Sequence, residues 1–132
     1  DILYSLLCIA FFADEEIDES EKDIIFDSYK IFVPNLSNEL FNRDFGLATS
    51  KFIDLKKEES RQKQFDKSLA KIKKSLDDDN LNQLVKCYVN IANADDFIHE
   101  NEVVLIKQAI KEWDLDFKLD KPKSGKKLKL KK

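Results

Sequence analysis

A short acidic segment occurs twice in this chain, and the repetition narrows the possible folds more than any other feature. The first copy is Ala13-Asp14-Glu15-Glu16-Ile17-Asp18-Glu19-Ser20-Glu21 and the second is Ala94-Asp95-Asp96-Phe97-Ile98-His99-Glu100-Asn101-Glu102. At an offset of 81 residues Ala, Asp, Ile and two Glu coincide, and Ile25 falls on Ile106. An apolar run precedes each copy and a helical spacing follows it. Repetition of this kind marks a repeated supersecondary unit. It predicts two related helix–acidic loop–helix units within one small domain.

The 132 residues suffice for one domain with its own core. With only 2 Gly and 2 Pro, the chain lacks the turn chemistry that a many-stranded β fold requires. The expectation is an all-α, single compact helical domain of about six or seven helices over residues 1–117. Residues 118–132 read differently. They hold eight lysines against one acid, Asp120, and so carry +7, which leaves −10 on the rest of a chain whose net charge is −3. Apolar periodicity stops after Phe117, and Lys121-Pro122-Lys123-Ser124-Gly125 reads as part of a basic flexible tail.

Cys8 and Cys87 both fall in apolar helical patterns, with no CxxC pair. They read as buried free thiols in a reducing compartment. The apolar run 2–12 is shorter than the roughly 20 residues of a membrane span. It also lacks the basic flank and cleavage site of a signal peptide. A cytoplasmic location without a transmembrane segment is therefore expected. The chain has no Met and begins inside an apolar helical run, which is compatible with a piece of a longer protein.

The pattern along the chain is helical throughout. Residues 2–13 are apolar almost all round, as in a central helix. After the first acidic loop, Asp18 and Glu21 make a D-x-x-E start resembling a capping box. Ile25, Tyr29 and Phe32 then mark one face, and Pro34 stops the helix. Ser37 is placed to cap a segment whose stripe is Phe41, Phe45, Ala48, Phe52 and Leu55, with a break expected near Gly46. The stretch 56–63 reads as a charged, exposed turn, after which Phe65, Leu69, Ile72 and Leu76 resume the helical spacing. Asp77, Asp78 and Asp79 offer caps for the clearest helix, 79–94. Val103, Ile106, Ile110 and Trp113 mark the last one. Helices 2–13 and 79–94, the most apolar, are expected to pack as a central pair and bring the two acidic loops together. Phe12, Ile17 and Ile98 join the expected core, with Ile17 and Ile98 plugging the loops.

Acids in a first helical turn are favoured by the helix dipole, so capping and surface charge account for much of the motif. The functional alternative is a divalent-cation site. Asp14, Asp18 and Glu21 would converge in the first loop, and Asp95, His99 and Glu102 in the second. Oxygen-rich ligands favour Ca²⁺, Mg²⁺ or Mn²⁺ over softer ions. The D-x-x-I-x-x-x-E spacing matches the second half of an EF-hand loop. Counting back from each Glu places Ala10 and Phe12, or Ile91 and Asn93, where an EF-hand needs oxygen ligands, so ordinary EF-hands are excluded.

The doubled pattern resembles the tellurite-resistance TerB-like family, whose A-D-G-x-I-x-x-x-E motif follows one helix and recurs after a later one. The matching residues are Ala13, Asp14, Ile17 and Glu21, then Ala94, Asp95, Ile98 and Glu102, and the resemblance covers about residues 2–115. It departs at the motif Gly, which is Glu15 in one copy and Asp96 in the other. The resemblance implies an all-helical fold, a role in metal-linked stress response, and no catalytic activity.

No nucleophile elbow, P-loop, dinucleotide fingerprint or HExxH motif is present, and thiols on apolar faces are inert. The chain therefore reads as a non-enzymatic interaction module whose acidic surface binds a divalent cation, a protein partner of basic character, or both. The alternative is binding of nucleic acid or an acidic partner through the lysine-rich C-terminal tail. That tail has no Arg and no aromatic residue for base stacking, so such binding would be electrostatic and salt-sensitive.

Overall fold

The structure, a computed structural model, describes residues 1–11, 19–55, 57–93, 100–120 and 129–131. Its described elements are α1 (Ile2–Phe11), α2 (Glu19–Phe32), α3 (Asn38–Asp54), α4 (Glu58–Ser75), α5 (Asp78–Asn93), α6 (Glu100–Glu112), β1 (Lys118–Asp120) and β2 (Lys129–Lys131). The fold is all-α, as the periodicity predicts.

α1 is the hub. Every residue from Leu3 to Ile9 is buried, Ser5 among them, and the helix packs against each of the other five. That is how a helix without a polar face must sit. α5 is different in kind. It buries Leu81, Leu84, Val85, Tyr88 and Ile91 but leaves Lys86 and Asn90 exposed. The expected central pair is thus one enclosed helix with an amphipathic one laid against it. Tyr88 of α5 donates to Ser5 Oγ of α1 at 2.7 Å, and Ser5 donates to the Ile2 carbonyl at 2.6 Å, so the α1–α5 contact carries a buried polar link.

Local signals explain the helix boundaries. The Ser37 hydroxyl accepts from the Leu40 N–H at 3.1 Å and starts α3. The Asp77 carboxylate accepts from the Asn80 N–H at 2.9 Å and starts α5. α2 ends at Phe32, two residues before Pro34. Phe26 and Phe41 meet edge-to-face with ring centroids 4.9 Å apart, joining α2 to α3. Trp113 stacks on Tyr88 at 6.0 Å and donates through Nε1 to the Leu69 carbonyl at 2.9 Å, tying the end of α6 to α5 and α4.

Two expectations need revision. α3 runs unbroken through Gly46, whose conformational freedom is not used there. The stretch 56–63 is not an exposed turn, because α4 begins at Glu58 and Arg61 is only 8% exposed. The Arg61 guanidinium lies 4.1 Å from the centroid of the Phe52 ring, and its Nε–H donates to the Phe52 carbonyl at 3.2 Å. An arginine that composition alone places outside thus holds the start of α4 against α3. Within the segment expected to be a flexible tail, β1 and β2 pair antiparallel, with Lys118 opposite Lys131 and Leu119 opposite Leu130. Leu119 packs partly buried against the core.

Candidate functional site

The two acidic motifs deliver their last carboxylates to equivalent places. Glu21 is the third residue of α2 and Glu102 the third of α6. Their relative exposures are 8% and 4%, far below what Glu normally shows. One turn further on, Ile25 and Ile106 are both fully buried. The repeat thus persists beyond the motif: each unit sets a Glu at the mouth of the core and an Ile beneath it.

The physical basis is shared. In each helix, position three is where the carboxylate of a capping box sits, among backbone N–H groups that lack intrahelical partners. The positive end of the helix dipole favours a charge there. Glu21 and Glu102 both engage in further polar interactions within the fold.

Asp14, Asp18, Asp95 and His99, the other four proposed ligands, lie outside the described residues, as do Phe12, Ile17 and Ile98. So do the two loops whose proximity the sequence analysis expects. Among the described residues, no group of three or more His, Cys, Asp or Glu side chains is arranged to hold a metal ion. Glu21 and Glu102 are therefore the parts of the proposed ligand sets whose placement is known: buried, repeated and at helix starts.

The thiols do not form a reactive centre. Cys8 and Cys87 are both free and buried. Burial pushes the Cys8 thiol up to about 12 and also raises Cys87. Both stay protonated at neutral pH, which removes the nucleophile that thiol catalysis needs. The Tyr4 hydroxyl is buried beside Cys8 without a well-formed hydrogen bond. No helix among the described residues is long and apolar enough to cross a membrane.

Two features escaped the sequence reading. Arg61 precedes Phe65 by four residues and so extends the Phe65–Leu69–Ile72 stripe, but its charge masked that signal. A groove beside the C-terminal half of α6 also went unseen, because its walls come from a helix and from a strand too short to recognise.

The family model described as tellurite resistance protein TerB matches residues 34–116. That interval runs from α3 through α6 and contains the second acidic motif, while the first lies outside it. It spans more than half of the chain, and the chain belongs to the TerB family. No curated protein and no solved structure matches it.

Proposed function

We propose that this TerB-family chain is a non-enzymatic, cytoplasmic module that binds a hard divalent cation at its acidic loops. The acidic surface so organised would engage a protein partner as part of a metal-linked stress response. The observation that carries this reading is the burial of Glu21 and Glu102 at equivalent positions of an internal repeat. Taking a carboxylate out of water is costly unless its charge is compensated. A capping box, the pattern of Asp18 and Glu21, satisfies two of a helix start's unpaired N–H groups, and the dipole adds only about 0.3–1 kcal/mol. Neither calls for Asp14 or Asp95 ahead of the helix starts. Asp14 and Asp18 with Glu21, and Asp95 and His99 with Glu102, supply mainly oxygen ligands suited to Ca²⁺, Mg²⁺ or Mn²⁺. The set is smaller than that of an EF-hand, so modest affinity is expected.

Calorimetric titration of the whole chain with each of the three ions tests the reading. Wild type should bind at or below millimolar ion, and the Asp14→Asn, Asp95→Asn double variant should not, with unchanged helicity by circular dichroism. Absence of binding by wild type, or equal binding by both proteins, would reduce the acidic loops to caps and surface charge.

A further inference from the structure

A groove of about 380 Å³ lies between the C-terminal half of α6 and β1, a volume at the small end of the roughly 300–1,000 Å³ typical of ligand sites. Its construction begins at the end of α6. The Leu115 N–H donates to the Ile110 carbonyl at 3.0 Å and the Asp114 N–H to the Lys111 carbonyl at 3.2 Å. Asp114 sits at φ 52. Together these form a Schellman motif with its left-handed residue at Asp114, and such a motif commonly brings the residue after it back onto the last turn. Leu115 and Ile110 line the groove together, and Phe117 and Leu119 extend the apolar floor.

The walls are cationic. Lys107 and Lys111, one turn apart on α6, stand along one side, and Lys118 of β1 also lines the groove; all three are exposed. Asp114 is the acid among the described lining residues, so positive charge is in excess. This concentration sits on a chain whose net charge is −3, and its relief calls for an anionic occupant.

We propose that the α6–β1 groove binds an extended, acidic–apolar segment of a partner protein. Apolar side chains would lie on the Ile110, Leu115, Phe117 and Leu119 floor, and carboxylates would meet Lys107, Lys111 and Lys118. Residues two apart on an extended chain are about 6.6 Å apart. Lysines one helical turn apart have Cβ atoms about 5–6 Å apart, so alternate carboxylates reach successive lysines. The long lysine stems cover the groove edge while their ammonium groups stay at the rim. A nucleic-acid backbone would leave the apolar floor unused, and a bilayer surface is poorly matched to a concavity. The site does not depend on cation binding, and either proposal can fail alone.

The test is fluorescence anisotropy on the full chain in the absence of divalent ions. The probe is a labelled peptide alternating Glu with Leu, and the companion peptide has Ser for every Leu. The alternating peptide should bind saturably, and the Ser peptide should bind much more weakly. Lys107→Glu with Lys111→Glu should weaken binding by roughly tenfold or more, since two rim attractions become repulsions. Lys63→Glu with Lys67→Glu, an equal charge change on exposed positions of α4, should leave binding within about twofold. Four results would overturn the proposal: no saturable binding of the alternating peptide; equal binding of the Ser peptide; equal losses in the two variant pairs; or groove-dependent binding that prefers a DNA oligonucleotide or phosphatidylserine vesicles.

Discussion

The Tyr88 hydroxyl donates to Ser5 Oγ at 2.7 Å inside the α1–α5 contact, and Ser5 in turn donates to the Ile2 carbonyl at 2.6 Å. The chain of two bonds satisfies a hydroxyl pair that is wholly buried, since Tyr88 and Ser5 are both at 0% exposure. Tyr88→Phe preserves the ring and its stacking on Trp113 but deletes the donor. It should cost about 1–2 kcal/mol, the usual penalty of a broken buried hydrogen bond. Ser5→Ala should cost a similar amount by stranding the Tyr88 hydroxyl. Urea unfolding of the double variant should show less than the summed loss. Strict additivity would mean that the two groups do not act together.

The same burial sets an alkaline limit. Burial raises Tyr88, Tyr4 and Cys8 above their ordinary values, Cys8 to about 12. All three are neutral when protonated, and the folded state holds the proton more tightly than the unfolded state. Their contribution is therefore complete below the ordinary thiol and phenol pKa values, near 9 and 10, and declines as pH rises toward the folded values. Stability by urea midpoint should be flat through these groups between pH 7 and 8 and fall above about pH 9. Cys8→Ala should make the fall shallower. An unchanged slope in that variant would show that Cys8 does not contribute.

Gly46 offers a clean test of helix propensity. It lies inside α3, and a Cβ added there meets no atom within 4 Å. Gly46→Ala should therefore stabilise the fold by about 0.8–1 kcal/mol, visible as a higher thermal midpoint. Destabilisation would mean that Gly46 serves a role other than helix formation.

How much of this was readable from sequence depends on how each element buries its residues. α5 and α6 were legible because Leu81, Leu84, Val85, Tyr88 and Ile91, then Val103, Ile106 and Ile110, keep the 3.6-residue period and are buried accordingly. α1 was legible for the opposite reason, since it has no polar stripe. The positions of Glu21 and Glu102 at the third residue of their helices followed from the repeat, but their burial did not, because Glu in a first turn ordinarily faces water. The β1–β2 pair was not legible at all. Two triplets, Lys-Leu-Asp and Lys-Leu-Lys, are too short for a period-two pattern to stand out, and only tertiary contact with α6 and α5 positions them.

Arg61 shows where charge misleads, and it supports the sharpest prediction. Its guanidinium packs over the Phe52 ring at 4.1 Å and its Nε–H holds the Phe52 carbonyl at 3.2 Å, so one side chain fastens the start of α4 to the last turn of α3. Phe52 also meets Tyr4 of α1, with ring centroids 6.2 Å apart, and the clasp therefore reaches the hub helix. A hydrogen bond to a charged donor is worth about 1.5–3 kcal/mol, and a desolvated cation–π contact about 0.5–2 kcal/mol. Arg61→Ala loses both, together with the packing of the stem, and should destabilise by about 2–4 kcal/mol. Arg61→Lys keeps the charge but has neither the planar face nor an Nε–H, so it should recover less than half of that loss. An arginine in an exposed charged turn would respond otherwise: both substitutions would fall within about 0.5 kcal/mol of wild type. Chemical denaturation of the two variants separates these outcomes, and a loss within that narrow range for Arg61→Ala would show that the Arg61–Phe52 clasp adds nothing to stability.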